Sequence, residues 1–388
     1  MRILWHSNAP WAPTGYGNQT GLFLPQLAKH HDVAASAFYG LQGDKITWNG
    51  ITVYPGLGEE FGNSYIQQRA HRHFGSVRGG LVITLMDVWV LDVQQFARLN
   101  TAAICPVDHD PAPPAVERYF ELTSAVPVAM SRFGQERLER FDALYVPHMI
   151  DTDTYRPVDA SEVRADAEIP NGAFVVGMVA ANKGRAPSRK SFQQTLEAFK
   201  VFQARHEDAY LYLHTTLDHP AGEDLRAMIR SLDIPLEAVR VANEYRMNVE
   251  PYSPGEMAQV YSAFDVLVNC AMGEGFGITV MEAQACGVST IVTDFSAMRE
   301  VGCGWKVGYE RFFTGQKSWM AMPRVSEMVD ALEDSYQSDR DELGVRARGH
   351  VQERYAIPVV MEQHCLPALE AIEHRLAERE PMRLRVAA

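Results

Sequence analysis

Gly273-Glu274-Gly275-Phe276-Gly277-Ile278-Thr279-Val280-Met281-Glu282-Ala283-Gln284-Ala285-Cys286-Gly287 reads as the turn from a buried strand into a helix. The run before it, Asp265 to Cys270, is short and apolar, as a strand covered on both faces should be. From Gly277 to Cys286 the residue types suit a helix. Three alternating glycines let backbone approach a ligand without side-chain interference. The amides from Phe276 to Thr279 then belong to a helix N-terminus, where unpaired N–H groups attract anions. Two carboxylates, Glu274 and Glu282, flank that turn and would repel a phosphate, but they can accept hydrogen bonds from hydroxyls. The stretch therefore asks for a ligand with an anionic part and a polyol part.

Outward from it, apolar runs alternate with amphipathic stretches. Strands are expected at 2–8, 33–40, 51–55, 80–86, 102–108, 126–130 and 143–149. After a break the rhythm resumes at 173–181, 209–215, 238–242, 264–270, 288–293 and 304–307. Helical patterns fall between them, at 17–31, 115–122, 132–141, 191–206, 221–232, 254–263 and 277–286. This βαβα alternation implies α/β architecture: parallel sheets with helices on both faces. The break runs from Thr154 to Gly172, with Pro157, Pro170 and Asn171-Gly172 as punctuation. Two doubly wound, Rossmann-like domains are expected, residues 1–160 and 161–345. Their functional cleft lies where strand carboxyl ends face each other. From about residue 324 the chain reads helical. Residues 346–388 form a helical segment expected to return to the first domain, with a frayed tail after Pro381.

Composition narrows the class. The chain has 388 residues, 46% hydrophobic and 22% charged, which suits a globular protein of two domains. No apolar run approaches the ~18–20 residues of a membrane span, and the first residues read as a strand instead of a signal peptide. Five scattered cysteines without a C-x-x-C pair argue against a disulfide framework or structural zinc, and for a cytoplasmic setting. A formal net charge of -13 disfavours a large duplex nucleic-acid footprint. The first domain is the less acidic one and carries a basic stretch, Arg69, His71, Arg72, His73 and Arg78. That stretch is either a solvated helix face or an anion patch, the former being the commoner case.

Glu274 and Glu282, seven residues apart with Gly-Phe-Gly after the first, resemble the E-x7-E signature of the retaining family 4 glycosyltransferases. The likeness runs on through Glu282-Ala283-Gln284-Ala285-Cys286-Gly287-Val288, Ile291-Val292-Thr293-Asp294 and Glu300. It implies a GT-B fold, with a nucleoside-diphosphate-sugar as donor and retention at the anomeric carbon. The roles it implies are contact with the transferred hexose-type sugar for Glu274, and with sugar and diphosphate for the backbone of Gly275, Phe276, Gly277, Ile278 and Thr279. Glu282 would hold the ribose.

Three further stretches resemble the same family. Val176-Gly177-Met178-Val179 with Asn182-Lys183-Gly184-Arg185 and Arg189-Lys190 is similar to a strand followed by an Arg and a Lys that neutralise the diphosphate. Arg185 and Lys190 have the spacing, and Lys183 or Arg189 are the alternatives, because this loop is longer than the common form. Pro13-Thr14-Gly15-Tyr16-Gly17-Asn18 resembles the family's glycine-rich first loop, which places Gly15, Tyr16 and Gly17 at the donor. Cys105-Pro106-Val107-Asp108-His109-Asp110-Pro111 resembles the segment that puts a His, or in some relatives an Asp, against the sugar. Both Asp108 and His109 stay candidates. Val146-Pro147-His148-Met149-Ile150-Asp151-Thr152 with Tyr155-Arg156-Pro157 looks like the family's hinge text.

No acid or histidine cluster calls for a metal. Basic side chains and helix amides would meet the leaving phosphate, so neither metal nor other cofactor is expected. The partners expected are the nucleotide-sugar and an acceptor left open: glycan, lipid-linked sugar, small metabolite, protein or modified nucleic acid. A GT-B epimerase or phosphorylase, or a non-catalytic nucleotide-sugar binder, are the rival readings.

Overall fold

The structure, a computed structural model, describes residues 1–184 and 186–379. Its first half is an eight-stranded sheet. The strands are β1 (Arg2–Asn8), β2 (Asp32–Tyr39), β3 (Ile46–Trp48), β4 (Ile51–Tyr54), β5 (Leu81–Leu85), β6 (Thr101–Cys105), β7 (Val126–Ala129) and β8 (Leu144–Tyr145). Their order is β3-β4-β2-β1-β5-β6-β7-β8. All neighbours are parallel except the β3–β4 pair.

The second half repeats the plan. The strands β9 (Phe174–Val179), β10 (Ala209–His214), β11 (Val239–Val241), β12 (Val266–Asn269), β13 (Ser289–Thr293) and β14 (Gly304–Val307) lie in the order β11-β10-β9-β12-β13-β14, all parallel. In both halves the order reverses beside the first strand, the switch point at which such sheets open a crevice. The architecture is GT-B, as expected.

Burial explains the elements. In helix Phe192–Gln203 the residues Phe192, Leu196 and Phe199 recur every three to four positions and, with Phe202, are essentially inaccessible. They pack among Val176, Leu211 and Leu213 of the sheet. Each aromatic so buried contributes about 1.5–3 kcal/mol. Helix ends follow the capping rules. Thr14 accepts from Gly17 N at 3.0 Å, and Ser253 with Glu256 forms a capping box.

Two segments cross between the halves, and they pair. Ile150 N donates to Tyr355 O at 2.8 Å, and Gln19 bonds both backbone groups of Met149. After helix Arg340–Arg354, which lies against helix Ile278–Ala285 of the second half, the chain returns. Cys365, Ala368, Leu369 and Ile372 then sit against Trp5, Phe23, Leu27 and Ile104 of the first half.

Three strands were not expected. Besides β3, a hairpin of β15 (Tyr309–Phe313) and β16 (Trp319–Pro323) precedes helix Val325–Gln337. It reaches the first half, where Asp110 N donates to Trp319 O at 3.0 Å. The aromatics Tyr309, Phe312 and Phe313 followed by the Thr314-Gly315 turn carried that signal. No helix among the described residues is long and apolar enough to cross a membrane.

Candidate active site

β12 ends at Asn269, and the glycine-rich turn carries the chain into helix Ile278–Ala285. Gly277 opens that helix at φ +103°, a conformation side chains resist. The first intrahelical bonds run from Val280 and Met281 back to Gly277 O, at 3.1 and 3.3 Å. The amides of Ile278 and Thr279 thus lie in the turn ahead of them.

Gly273 and Gly275 are bare for a different reason than the sequence suggested. A methyl group on Gly273 would lie 2.2 Å from the Asp108 carbonyl oxygen, and one on Gly275 would lie 2.3 Å from Pro106 Cβ. Backbone of the first half occupies the space expected for ligand. Gly15 in turn abuts Ile278, whose Cδ1 would be 3.2 Å from a methyl placed there. The glycines therefore bring the two sheets' loops together. Gly17 serves its own loop, since a methyl there would strike Ala12 O at 2.2 Å.

Glu274 points into the seam so formed. Its Oε2 accepts from Arg189 Nη1 at 2.9 Å, and its Oε1 accepts from the Lys190 ammonium. Its backbone N–H donates to Ser296 Oγ at 2.9 Å. Burial alone would raise this carboxyl, but the two adjoining cations overturn that and hold it at about 2. Glu274 is thus an ionised hydrogen-bond acceptor and has no proton to donate at neutral pH.

Of the cations read from the 182–190 loop, Lys190 and Arg189 reach Glu274, so the alternative partner Arg189 stands here beside Lys190. Lys183 is exposed. Arg185 lies outside the described residues. Arg189 also lies 4.0 Å from Asp108 Oδ2 on the facing half.

The choice between Asp108 and His109 is geometric. His109 is 1% exposed, its Nδ1 2.6 Å from Asp108 Oδ1 and its Nε2 3.0 Å from Thr314 Oγ1 in the hairpin. Both ring nitrogens are engaged, so the imidazole positions its neighbour. Asp108 keeps its second oxygen toward Arg189. Burial would raise its carboxyl, yet His109 and Arg189 hold it below the usual range.

Sequence reasoning missed Asp87. It follows β5, and its Oδ2 accepts from Tyr16 Oη at 3.1 Å. Burial first, then the Asp108 charge, raises its pKa. An acid directly after a parallel strand was a readable signal for the crevice.

Phe276 turns away from the cleft. Its ring packs edge-on against His148 and Tyr355 at 5.1 and 5.6 Å, in the hinge. Thr279 Oγ1 accepts from Asn269 Nδ2 at 3.0 Å. Glu282 is 7% exposed, and its Oε2 accepts from Tyr261 Oη at 2.7 Å.

Burial raises the Glu282 carboxyl to about 7, although hydrogen bonds from Tyr261 and Tyr155 oppose the rise. Between its unfolded value of 4.5 and about 7 the folded chain then holds a proton the unfolded chain has lost. Stability must therefore fall as pH rises through that window. Glu282→Gln is expected to unfold at a higher temperature than the parent at pH 8, by an amount equivalent to about 3 kcal/mol, with little difference at pH 4.5. Parallel pH profiles for the two proteins in thermal melts would refute this.

Among the described residues no group of three or more His, Cys, Asp or Glu could hold a metal ion. What the site assembles is an ionised acceptor, two cations and a helix opening on one half, facing Asp108, Asp87 and Tyr16 on the other.

Comparison with known proteins agrees. Residues 175–333 match the family described as "Glycosyl transferases group 1". Here the fold is GT-B, and residues 175–333 are similar to the domain that the glycosyl transferases of group 1 share. A D-inositol 3-phosphate glycosyltransferase of Catenulispora acidiphila is 28% identical over 238 residues, which is 57% of this chain and 54% of that one. The chain thus spans about half the length of the curated relatives it matches. A sucrose-phosphate synthase of Thermosynechococcus elongatus superposes with a TM-score of 0.70 at 14% identity, over 97% of this chain and 100% of that one. HepE of Anabaena, solved with UDP-glucose, gives 0.68 at 14% identity over 97% and 100%.

Proposed function

We propose that this protein transfers a hexose-type sugar from a nucleoside-diphosphate-sugar to an acceptor hydroxyl, with retention and without a metal. The observation that carries this reading is the meeting of Glu274, Arg189 and Lys190 beside a helix opening, across the seam from Asp108. Glu274 would accept hydrogen bonds from the sugar hydroxyls. Arg189, Lys190 and the amides of Ile278 and Thr279 would take the charge that grows on the departing diphosphate. Glu282 would share its carboxylate between Tyr261 and the ribose.

Glu274 is clasped by two cations and Asp108 by His109, so neither suits a covalent nucleophile. Attack from the leaving-group face, with the departing phosphate taking the acceptor proton, fits that arrangement. The protein then contributes orientation and charge stabilisation. HepE was solved with UDP-glucose, and the relatives named above make D-inositol 3-phosphate the first acceptor to try.

The deciding experiment incubates the chain with a panel of nucleotide-sugars, with and without acceptors, and measures nucleoside diphosphate and product stereochemistry. Diphosphate release that depends on acceptor, with the anomeric configuration retained in the product, is expected. Conversion of donor alone would make the protein an epimerase. Activity is also expected to persist in excess EDTA, and complete loss restored by magnesium or manganese would overturn the metal-free reading.

A further inference from the structure

On the first half, loop 41–45 and helix Ile66–Phe74 border an open cavity of about 320 Å³. Lys45, Arg69 and Arg72 line it with Tyr54 and Pro55, and Asp44, on the exposed loop, lines it too. Its volume lies within the range of small-molecule sites, about 300–1,000 Å³.

The charge distribution here is unusual for a chain of formal charge -13. Arg69 is 5% exposed, yet its guanidinium meets neutral groups: Ser36 Oγ at 2.8 Å, Pro55 O, and the Tyr65 ring at 3.7 Å. Among the described residues no carboxylate forms an ion pair with Arg69, Lys45 or Arg72. Burying a cation without an anion is unfavourable, and an anion delivered to this cavity would relieve it. Three donors of positive charge converge where one carboxylate opposes them.

The cavity lies by the carboxyl end of β4. Three strand spacings, or about 14 Å, separate β4 from β5, the strand that precedes Asp87. That is wider than a single sugar ring, so this place is separate from the donor cations on the other half.

We propose that this pocket is a second anion site, which binds the phosphate group of a small molecule or a lipid headgroup. Titration calorimetry of the full chain with inorganic phosphate tests it, using Lys45→Ala/Arg72→Ala and, separately, Lys190→Ala. Lys45 and Arg72 are exposed, so thermal melts in phosphate-free buffer should match the parent and certify folding. Each lost charge-assisted contact is worth about tenfold, so the double variant should bind phosphate about 100-fold more weakly. Lys190→Ala should keep the phosphate binding that the double variant loses.

Equal affinity in the double variant, absence of binding by the parent, or a loss confined to Lys190→Ala would each overturn the site. Glycerol 3-phosphate and phosphatidic acid vesicles then separate the sources. Vesicle binding abolished in the double variant assigns the phosphate to a lipid. Glycerol 3-phosphate bound by the parent while vesicles are ignored assigns it to a soluble ligand.

Discussion

Glu274→Ala is expected to abolish turnover while nucleoside diphosphate still binds at least as tightly as to the parent. The carboxylate is proposed to contact the transferred sugar, which the diphosphate lacks. In the structure it also occupies both cations, Arg189 and Lys190. Removing it frees two positive groups that a diphosphate can then claim, which is why affinity should hold or rise. Deleting one partner of a buried charge pair destabilises by about 3–5 kcal/mol, so alanine could weaken the fold as well. Glu274→Gln keeps the shape and resolves the two effects: it should remain folded and bind diphosphate, with turnover still lost. Normal turnover in the glutamine variant would remove Glu274 from the chemistry.

Arg189→Ala and Lys190→Ala should each lower kcat about 100–1,000-fold, equivalent to roughly 2.7–4 kcal/mol of transition-state stabilisation. The charge they meet is larger on the departing diphosphate than on the bound donor, so kcat must fall along with donor affinity. Both residues grip the same carboxylate, so their effects should not add: the double variant should fall short of the product of the single losses. Lys183→Ala, at an exposed position, should stay within a few-fold of the parent. Steady-state kinetics on these four variants and the parent decides this. If only KM changes, the cations bind the donor without assisting its cleavage.

Much of this was legible in the residues. Parallel strands buried on both faces print themselves as short apolar runs, so β1, β13 and β14 were expected within a residue of their positions. The hairpin at 309–323 was not, because its first strand lacks a period-two pattern and each strand is only five residues long. Glycine was legible as a demand for bare backbone but silent on what approaches it. At Gly273 and Gly275 the approaching group is Asp108 and Pro106 of the other half, a partner no local pattern can name. The 182–190 loop was only partly legible for a related reason. Spacing along an irregular segment does not fix which side chains converge: Lys190 reaches Glu274, and so does Arg189, which spacing offered only as an alternative. Asp108 and His109 were inseparable in sequence; the structure separates them only by burial, the imidazole being inaccessible and the carboxylate facing Arg189.

The hairpin at 309–323 bears on modularity. Thr314 supplies the hydroxyl against His109, and the strand after it bridges Asp110. The Asp108–Asp110 loop of one half is thus completed by chain that belongs, in sequence, to the other. Engineers who recombine such proteins by exchanging whole halves at the linker would break this loop even with both sheets intact. A workable chimera has to transplant three pieces together: the first half, the returning C-terminal helix and this hairpin.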